Sequence, residues 1–329
     1  MYTLGIETSC DETSCAVLKD CRVLSNVTVS SLREHRKYGG VIPEIATRAH
    51  LTAIDKVMTL ALEKAGVKLK KISLIAATHK PGLIGALVVG LNFAKALALG
   101  LKIPFLGVNH LHAHVFAPFL NNRERLQFPM LGVVVSGGHT ELYAVRDFDR
   151  IKLLGQTRDD AAGEVFDKVA HAYGLGYPGG PMIDKLYEPG YKNEFKFKCG
   201  RDGFNLSFSG IKTALMYKKM EVEKSGPLTA RMRVKILSSF QESVVQTLVS
   251  TIVDAARRFK FRRVALGGGV IANRRLRAEL AGKETADLRF LVPPIEFAAD
   301  NAAAVAGLGF YLYNNKGKTS SLSLPAGAN

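Results

Sequence analysis

Two stretches of this chain repeat one pattern. LGIETSCDETSCAVL runs from Leu4 to Leu18, and LGVVVSGGHTELYAV follows at an offset of 127 residues, from Leu131 to Val145. The pairs Leu4/Leu131, Gly5/Gly132, Ser9/Ser136 and Thr13/Thr140 coincide without a gap. Each copy predicts a strand, a tight polar turn and a second strand. A repeat at one fixed offset constrains architecture more than any local propensity does. It predicts two similar α/β halves, each opening with a hairpin whose turn is free to face a shared cleft.

The helices expected between these strands support an α/β class. Glu44 to Ala65 carries an amphipathic pattern. Gly85 to Leu101 is small and apolar and is expected to be buried. Phe240, Val244, Leu248, Ile252 and Ala255 recur at three- and four-residue spacing in a helix ending near Lys260. RRVALGGGVIANRRLRAEL reads as a strand, a triple-glycine turn and a helix. Tyr191 to Gly226 is charged and irregular, and the polar tail after Asn314 is expected to be loose. The lobes divide as 1–125 and 126–329, with a basic insertion near 190–235.

Composition narrows the function. No run of about 18 consecutive apolar residues occurs, so no membrane span is expected. MYTLGIETSC opens directly into a strand-like run, with no basic stretch or cleavage site, and a cytoplasmic location follows. Cys10, Cys15, Cys21 and Cys199 form no CxxC pair and are read as free thiols. The net charge of +16 is concentrated in Lys192 to Lys235 and Arg257 to Arg277. Such clusters suit a polyanion such as RNA, and equally a solvated basic surface.

Four groups of residues carry chemistry. At Ser136-Gly137-Gly138-His139-Thr140, glycines let backbone N–H groups approach and cradle an anion, or simply close an ordinary hairpin. Gly267-Gly268-Gly269 stands between a strand and a helix, with Asn273 in the helix's first turns, a setting for a nucleotide or for a tight strand–helix connection that needs small residues. Glu7, Asp11 and Glu12 surround the first turn, where acids position a cation, act on a proton or simply face solvent. The fourth group is GVNHLHAHVFAP. Three of the eight histidines fall there within five residues, and His110 and His114 share a helix face at i and i+4. Two imidazoles at that spacing are a standard metal chelate, and an unliganded histidine pair is the alternative. The metallopeptidase pattern HExxH needs a Glu where Leu111 stands. The third ligand must come from afar, and Asp300 in PPIEFAADNAAAVAG is the candidate.

Taken together, GIETSCDETSCAVL, YGGVIPEIATRAH, PGLIGALVVGLNFAKALA, the His110/His114 pair, VVSGGHTEL, DDAAGEVFDKVA, GLGYPGGPMID, LSFSGIKTA, GGGVIANRRLR and EFAADNAA resemble one family. These are the TsaD/Gcp tRNA threonylcarbamoyltransferases, a branch of the actin–hexokinase–sugar-kinase superfamily. The resemblance runs from about Gly5 to Leu324. It implies duplicated actin-like (ribonuclease H-like) lobes around a nucleotide cleft. It also implies transfer of threonylcarbamoyl from threonylcarbamoyl-AMP to N6 of the adenosine 3′ of the anticodon, in tRNAs reading codons that begin with A. AMP leaves.

Carried over residue by residue, the resemblance makes His110, His114 and Asp300 ligands of one divalent metal ion per chain, iron or zinc. Val134, Val135, Ser136, Gly137 and Gly138 line the phosphate and carboxyl end of the adenylate. Asp167, Gly180, Asp184 and Asn273 hold the nucleotide, and Asp11 and Glu12 lie at the reacting centre. The implied partners are tRNA with a paralogous actin-fold subunit and a P-loop ATPase in bacteria, or a kinase-like subunit in archaea. His112, Lys80 in THKPGLIG and the tail SLSLPAGAN depart from the family pattern. The alternatives are an actin-fold ATPase or small-molecule kinase, which the histidine pair does not suit, a metallopeptidase, against which Leu111 stands, and a scaffold with a vestigial site.

Overall fold

The computed structural model describes residues 1–328. The chain forms two compact units, Met1–Gln127 with Pro293–Asn329, and Phe128–Val292. The first is built on a five-stranded sheet of β1 (Tyr2–Glu7), β2 (Glu12–Lys19), β3 (Arg22–Ser30), β4 (Leu74–Lys80) and β5 (Phe105–Asn109), in the order β3-β2-β1-β4-β5. β1, β2 and β3 form an antiparallel meander, while β4 and β5 run parallel to β1.

Both faces of this sheet are covered, so β1 and β4 read as almost continuous apolar runs. Alternate residues Leu4, Ile6, Cys15, Val17, Ile75 and Ala77 enter one core with Ile54, Val57 and Ala61 of α2 (Pro43–Ala65) and Leu91, Ala94 and Ala98 of α3 (Ile84–Leu101). The small residues between them face α10 (Ala302–Lys316). A Cβ on Gly5 would lie 2.2 Å from the Ala302 carbonyl oxygen, and one on Gly309 would lie 2.4 Å from Ala76 Cβ. The short helices α1 (Leu32–His35) and α4 (His110–Phe116) complete this unit.

The second unit repeats the plan. Its sheet holds β6 (Met130–Val135), β7 (Thr140–Asp147), β8 (Arg150–Gln156), β11 (Arg263–Gly267) and β12 (Arg289–Leu291), in the order β12-β11-β6-β7-β8. The repeat extends to register. Adding 127 to both members of the pair Leu4↔Val17 gives Leu131↔Ala144, and Glu7↔Ser14 gives Val134↔Glu141, as observed. Helices α5 (Ala162–Ala172), α6 (Gly179–Leu186), α7 (Ser209–Lys224), α8 (Ala230–Arg258) and α9 (Arg274–Ala281) surround this sheet, and its core includes Phe166, Phe208, Phe240, Val244 and Leu248.

Four expectations change. Residues 293–329 join the first unit instead of the second, and the division falls after Gln127 instead of residue 125. The alanine-rich α10 shows that it is buried but not against what, and small-residue contact with β1 and β4 decides its place. The tail is fastened: Ser320 N donates to Phe105 O on the edge strand β5, Lys95 Nζ to Leu324 O, and Gly327 N to His79 O. Tyr191–Gly226 is not wholly irregular, since it contains the hairpin of β9 (Gly200–Asp202) and β10 (Asn205–Ser207) and the helix α7. α3 is buried on one face only, and Ile84, Val88 and Leu99 are exposed. By length and composition it is the single helix among the described residues apolar enough to cross a membrane.

The close approach of α10 makes a sharp prediction. Gly5→Ala forces a methyl against backbone, and overpacking of this kind costs about 3 kcal/mol. Gly100→Ala, in helix α3 with nothing within 4 Å of the added carbon, is neutral or stabilises by up to about 1 kcal/mol. Urea unfolding of the two variants beside the parent measures the difference.

Candidate active site

The histidine pair is placed by its helix start. Asn109 ends β5, and its side-chain oxygen accepts from His112 N at 3.0 Å, capping α4 at once. His110 and His114 then lie one turn apart, with ring centroids 4.5 Å from each other. Asp300 arrives just before α10, whose cap is Asn301. Asp300 Oδ1 lies 3.1 Å from His114 Nε2 and 3.6 Å from His110 Nε2. One donor atom from each of the three falls within 4.8 Å of the others.

The other side of His110 is held by a carboxylate. Its Nδ1 donates to Glu7 Oε2 at 2.9 Å, and Ser9 Oγ lies 3.2 Å from the same nitrogen. Glu7, at the end of β1, is buried and also accepts from Ser9 N and from Thr78 Oγ1. With Nδ1 committed to Glu7, Nε2 is the ring nitrogen of His110 that faces Asp300. A carboxylate behind a histidine in this way fixes the tautomer and raises ligand basicity at metal sites. Burial alone would lower the His110 pKa, but the carboxylates of Asp300 and Glu7 raise it to about 9. Two imidazoles and one carboxylate so arranged fit a divalent transition metal. His112 is outside the cluster, and burial followed by the nearby charge of Lys80 pushes it down to about 4.

Asp11 and Glu12 lie in the first unit's turn. Burial raises the Glu12 carboxyl well above its ordinary value, and Asp300 and Asp11 raise it further. Asp11 Oδ2 accepts from Ser30 Oγ at 3.0 Å. Two buried histidines grip the backbone of this turn. His50 Nε2 donates to Cys10 O at 2.9 Å, and His50 Nδ1 accepts from Thr13 Oγ1 at 2.8 Å. His35 Nε2 donates to Ser31 Oγ, which in turn donates to Asp11 O, both at 3.0 Å. The four cysteines are free.

In the second unit, the turn after β6 is braced by the start of α5. Gly163 N donates to Ser136 O at 3.0 Å, and Ala162 N donates to Thr140 Oγ1 at 2.9 Å. Added carbons on Gly137 and Gly138 would meet nothing within 4 Å, so the turn's outer side is open. Val134 and Val135 end β6 as buried residues. Gly268 has φ +99°, and a Cβ there would lie 2.4 Å from Val135 O, so only glycine lets that turn close on β6.

Asp167, on α5, accepts from Gly179 N at 2.6 Å, and Gly180 follows in the first turn of α6. Asp184 Oδ2 accepts from Arg274 Nε at 2.9 Å, and its Oδ1 accepts from Gln241 Nε2 at 3.1 Å. Asn273 is the cap of α9 and not a residue of its first turns, with its Oδ1 accepting from Leu276 N. Beside this group Arg275 bonds both oxygens of Glu242 at 2.7 Å, and Tyr187 donates to one of them. Burial would raise Glu242, but the bonds from Arg275 and Tyr187 pull it down to about 2.

The structure therefore brings His110, His114 and Asp300 together, and sets Asp184 and Asn273 on either side of one glutamine. Sequence reasoning misses His35, His50 and Gln241, and it reads Glu7 as an acid of the first turn without its bond to His110. Gln241 carries a signal, because it is polar at a position where helix periodicity calls for an apolar residue.

The duplicated sheets define an actin-like fold of the ATPase and sugar-kinase class. Component A of Acidaminococcus fermentans (R)-2-hydroxyglutaryl-CoA dehydratase shares it with a TM-score of 0.54, over 97% of this chain and all of its own, at 16% identity. Within that class, the chain belongs to the TsaD family, tRNA N6-adenosine threonylcarbamoyltransferase, whose sequence profile matches residues 22–307. Relatives of that name are 45% identical in Caldicellulosiruptor saccharolyticus and 46% in Thermosipho africanus. Each alignment covers 99% of this chain, and 97% and 98% of the relative.

Two outcomes follow. Glu7→Gln keeps the His110 contact but removes its charge, so divalent metal is retained roughly 10- to 100-fold less tightly, read as metal per chain after dialysis. Glu242 has its native pKa below the unfolded value near 4.5, so its contribution is present above that pH and is lost as pH falls towards 2. The loss amounts to about 3 kcal/mol. Urea unfolding at pH 6 and pH 2.5 shows a smaller drop for Glu242→Gln than for the parent.

Proposed function

We propose that this protein transfers the threonylcarbamoyl group of threonylcarbamoyl-AMP to N6 of the adenosine 3′ of the anticodon, in tRNAs reading codons that begin with A. AMP is released, and the reaction is cytoplasmic. Family membership together with the cluster of His110, His114 and Asp300, backed by Glu7, carries this reading. An actin-fold kinase or ATPase has no use for that cluster.

The cluster holds one divalent ion, iron or zinc, which when bound supplies Lewis-acid polarisation. The remaining chemistry falls to the chain. The N6 lone pair attacks the carbamoyl carbon, the bond from that carbon to the phosphate oxygen breaks, and N6 gives up a proton. Backbone N–H groups of Ser136–Gly138, beyond Val134 and Val135, receive the phosphate's growing charge. Asp167, Gly180, Asp184 and Asn273 hold the nucleoside, and that orientation matters most for so weak a nucleophile. Glu12 is held protonated by burial among acids and donates to Asp11, which leaves Asp11 to take the proton from N6. The partners in this reading are tRNA and, by organism, an actin-fold paralogue with a P-loop ATPase or a kinase-like subunit.

The test incubates the protein, alone and with those partners, with threonylcarbamoyl-AMP and a tRNA transcript. Modified nucleoside and AMP should form in equal amounts, and neither should form on a transcript with guanosine at the target position. Phosphoryl transfer from ATP to a small molecule, with no tRNA product, overturns the reading. Asp11→Asn should slow transfer by roughly 100-fold or more. Glu12→Gln, neutral like the residue it replaces, should slow it by less than about tenfold.

A further inference from the structure

A buried polar side chain in the middle of a long helix needs a reason. Gln241 lies on α8 between Leu237 and Val244, on the stripe that fills the second core, and has no exposure to solvent. An amide there without partners is costly. Its two bonds go to two of the four residues assigned above to the nucleotide. Gln241 Nε2 lies 3.1 Å from Asp184 Oδ1, and Gln241 Oε1 lies 3.1 Å from Asn273 Nδ2.

The direction of each bond is fixed from outside. Asn273 Oδ1 caps α9 by accepting from Leu276 N at 2.9 Å, so its nitrogen must point the other way and donate. Gln241 Oε1 must then accept, and its nitrogen must donate to Asp184. The helix cap therefore sets the amide orientation of Asn273, which sets that of Gln241, which fixes one oxygen of Asp184. Arg274 fixes the other oxygen from its backbone N and its Nε. What the chain leaves over is a second N–H on Asn273 and the unused lone pairs of Asp184, a donor and an acceptor held at a set separation. A ribose edge, with hydroxyls that both donate and accept, matches that pair.

We propose that Gln241 is a positioning residue for nucleoside recognition. It locks Asp184 and Asn273 into one donor–acceptor pair without touching the ligand. This rests on the reading that Asp184 and Asn273 hold the nucleoside.

The test uses adenosine as the probe, since it has no phosphate to titrate, and the full-length protein at pH 8 and pH 6. Gln241→Glu has nearly the shape of the original but cannot donate to Asp184 while ionised. Buried beside the carboxylates of Asp184 and Glu242, with Arg274 and Arg275 the nearby cations, the new carboxyl titrates above its ordinary range. Adenosine should bind roughly 10-fold more weakly at pH 8 and recover most of that loss at pH 6, when the protonated carboxyl donates again. Gln241→Leu should lose affinity equally at both pH values, and the parent should change little. Thermal unfolding of each variant gives the folded fraction used to correct the affinities.

A Gln241→Glu protein that binds adenosine like the parent at pH 8, while Asp184→Asn does not, overturns the positioning role and leaves the nucleoside reading intact. Equal, pH-independent losses in Gln241→Glu and Gln241→Leu also overturn it, since they mark a packing role only. An Asp184→Asn protein with parental affinity removes the nucleoside reading, and this inference with it.

Discussion

The approach of α10 to the first sheet is the contact on which the rest depends. Gly5 and Ala76 on the strands, and Ala302, Ala306 and Gly309 on the helix, bring two backbones close enough that one added carbon collides with a carbonyl oxygen. That contact carries the end of the chain back to its beginning. It delivers Asp300 to His110 and His114, across 186 residues of sequence in the case of His114. Small residues here are a condition for bringing a third donor to the histidine pair.

Around that contact the chemistry is layered. Glu7 commits one face of His110, so that the other face meets Asp300. The turn carrying Asp11 and Glu12 is gripped through its carbonyls by His35, acting through Ser31, and by His50. Burial pushes the His50 pKa down, which keeps it in the neutral form its two bonds require. In the second unit a helix cap plays the corresponding part, with Asn273 orienting Gln241 and Gln241 orienting Asp184. In both units a polar backbone feature that must be satisfied anyway also sets the geometry of a functional side chain.

The sequence made much of this legible. The offset of 127 residues anticipates a duplicated sheet, and it holds to the level of strand register. The i, i+4 spacing of His110 and His114 and the acid before a small-residue helix point to the three donors that meet in space. Periodicity could not say where α10 docks, because a helix apolar all round has no face to read. It could not place the tail, whose hold is backbone bonding to β5 and to His79. The bond between Glu7 and His110, and the place of Gln241, escaped because both lie with partners at least thirty residues away. For Gln241, a polar residue on an apolar helix stripe was the available signal.

The measurement closest to the central claim is X-ray absorption at the metal edge of the purified protein. The account predicts one divalent metal per chain, with two imidazole nitrogens and carboxylate oxygen at about 2.0–2.2 Å. An absent metal, or a first shell with sulfur at about 2.3 Å, would contradict it.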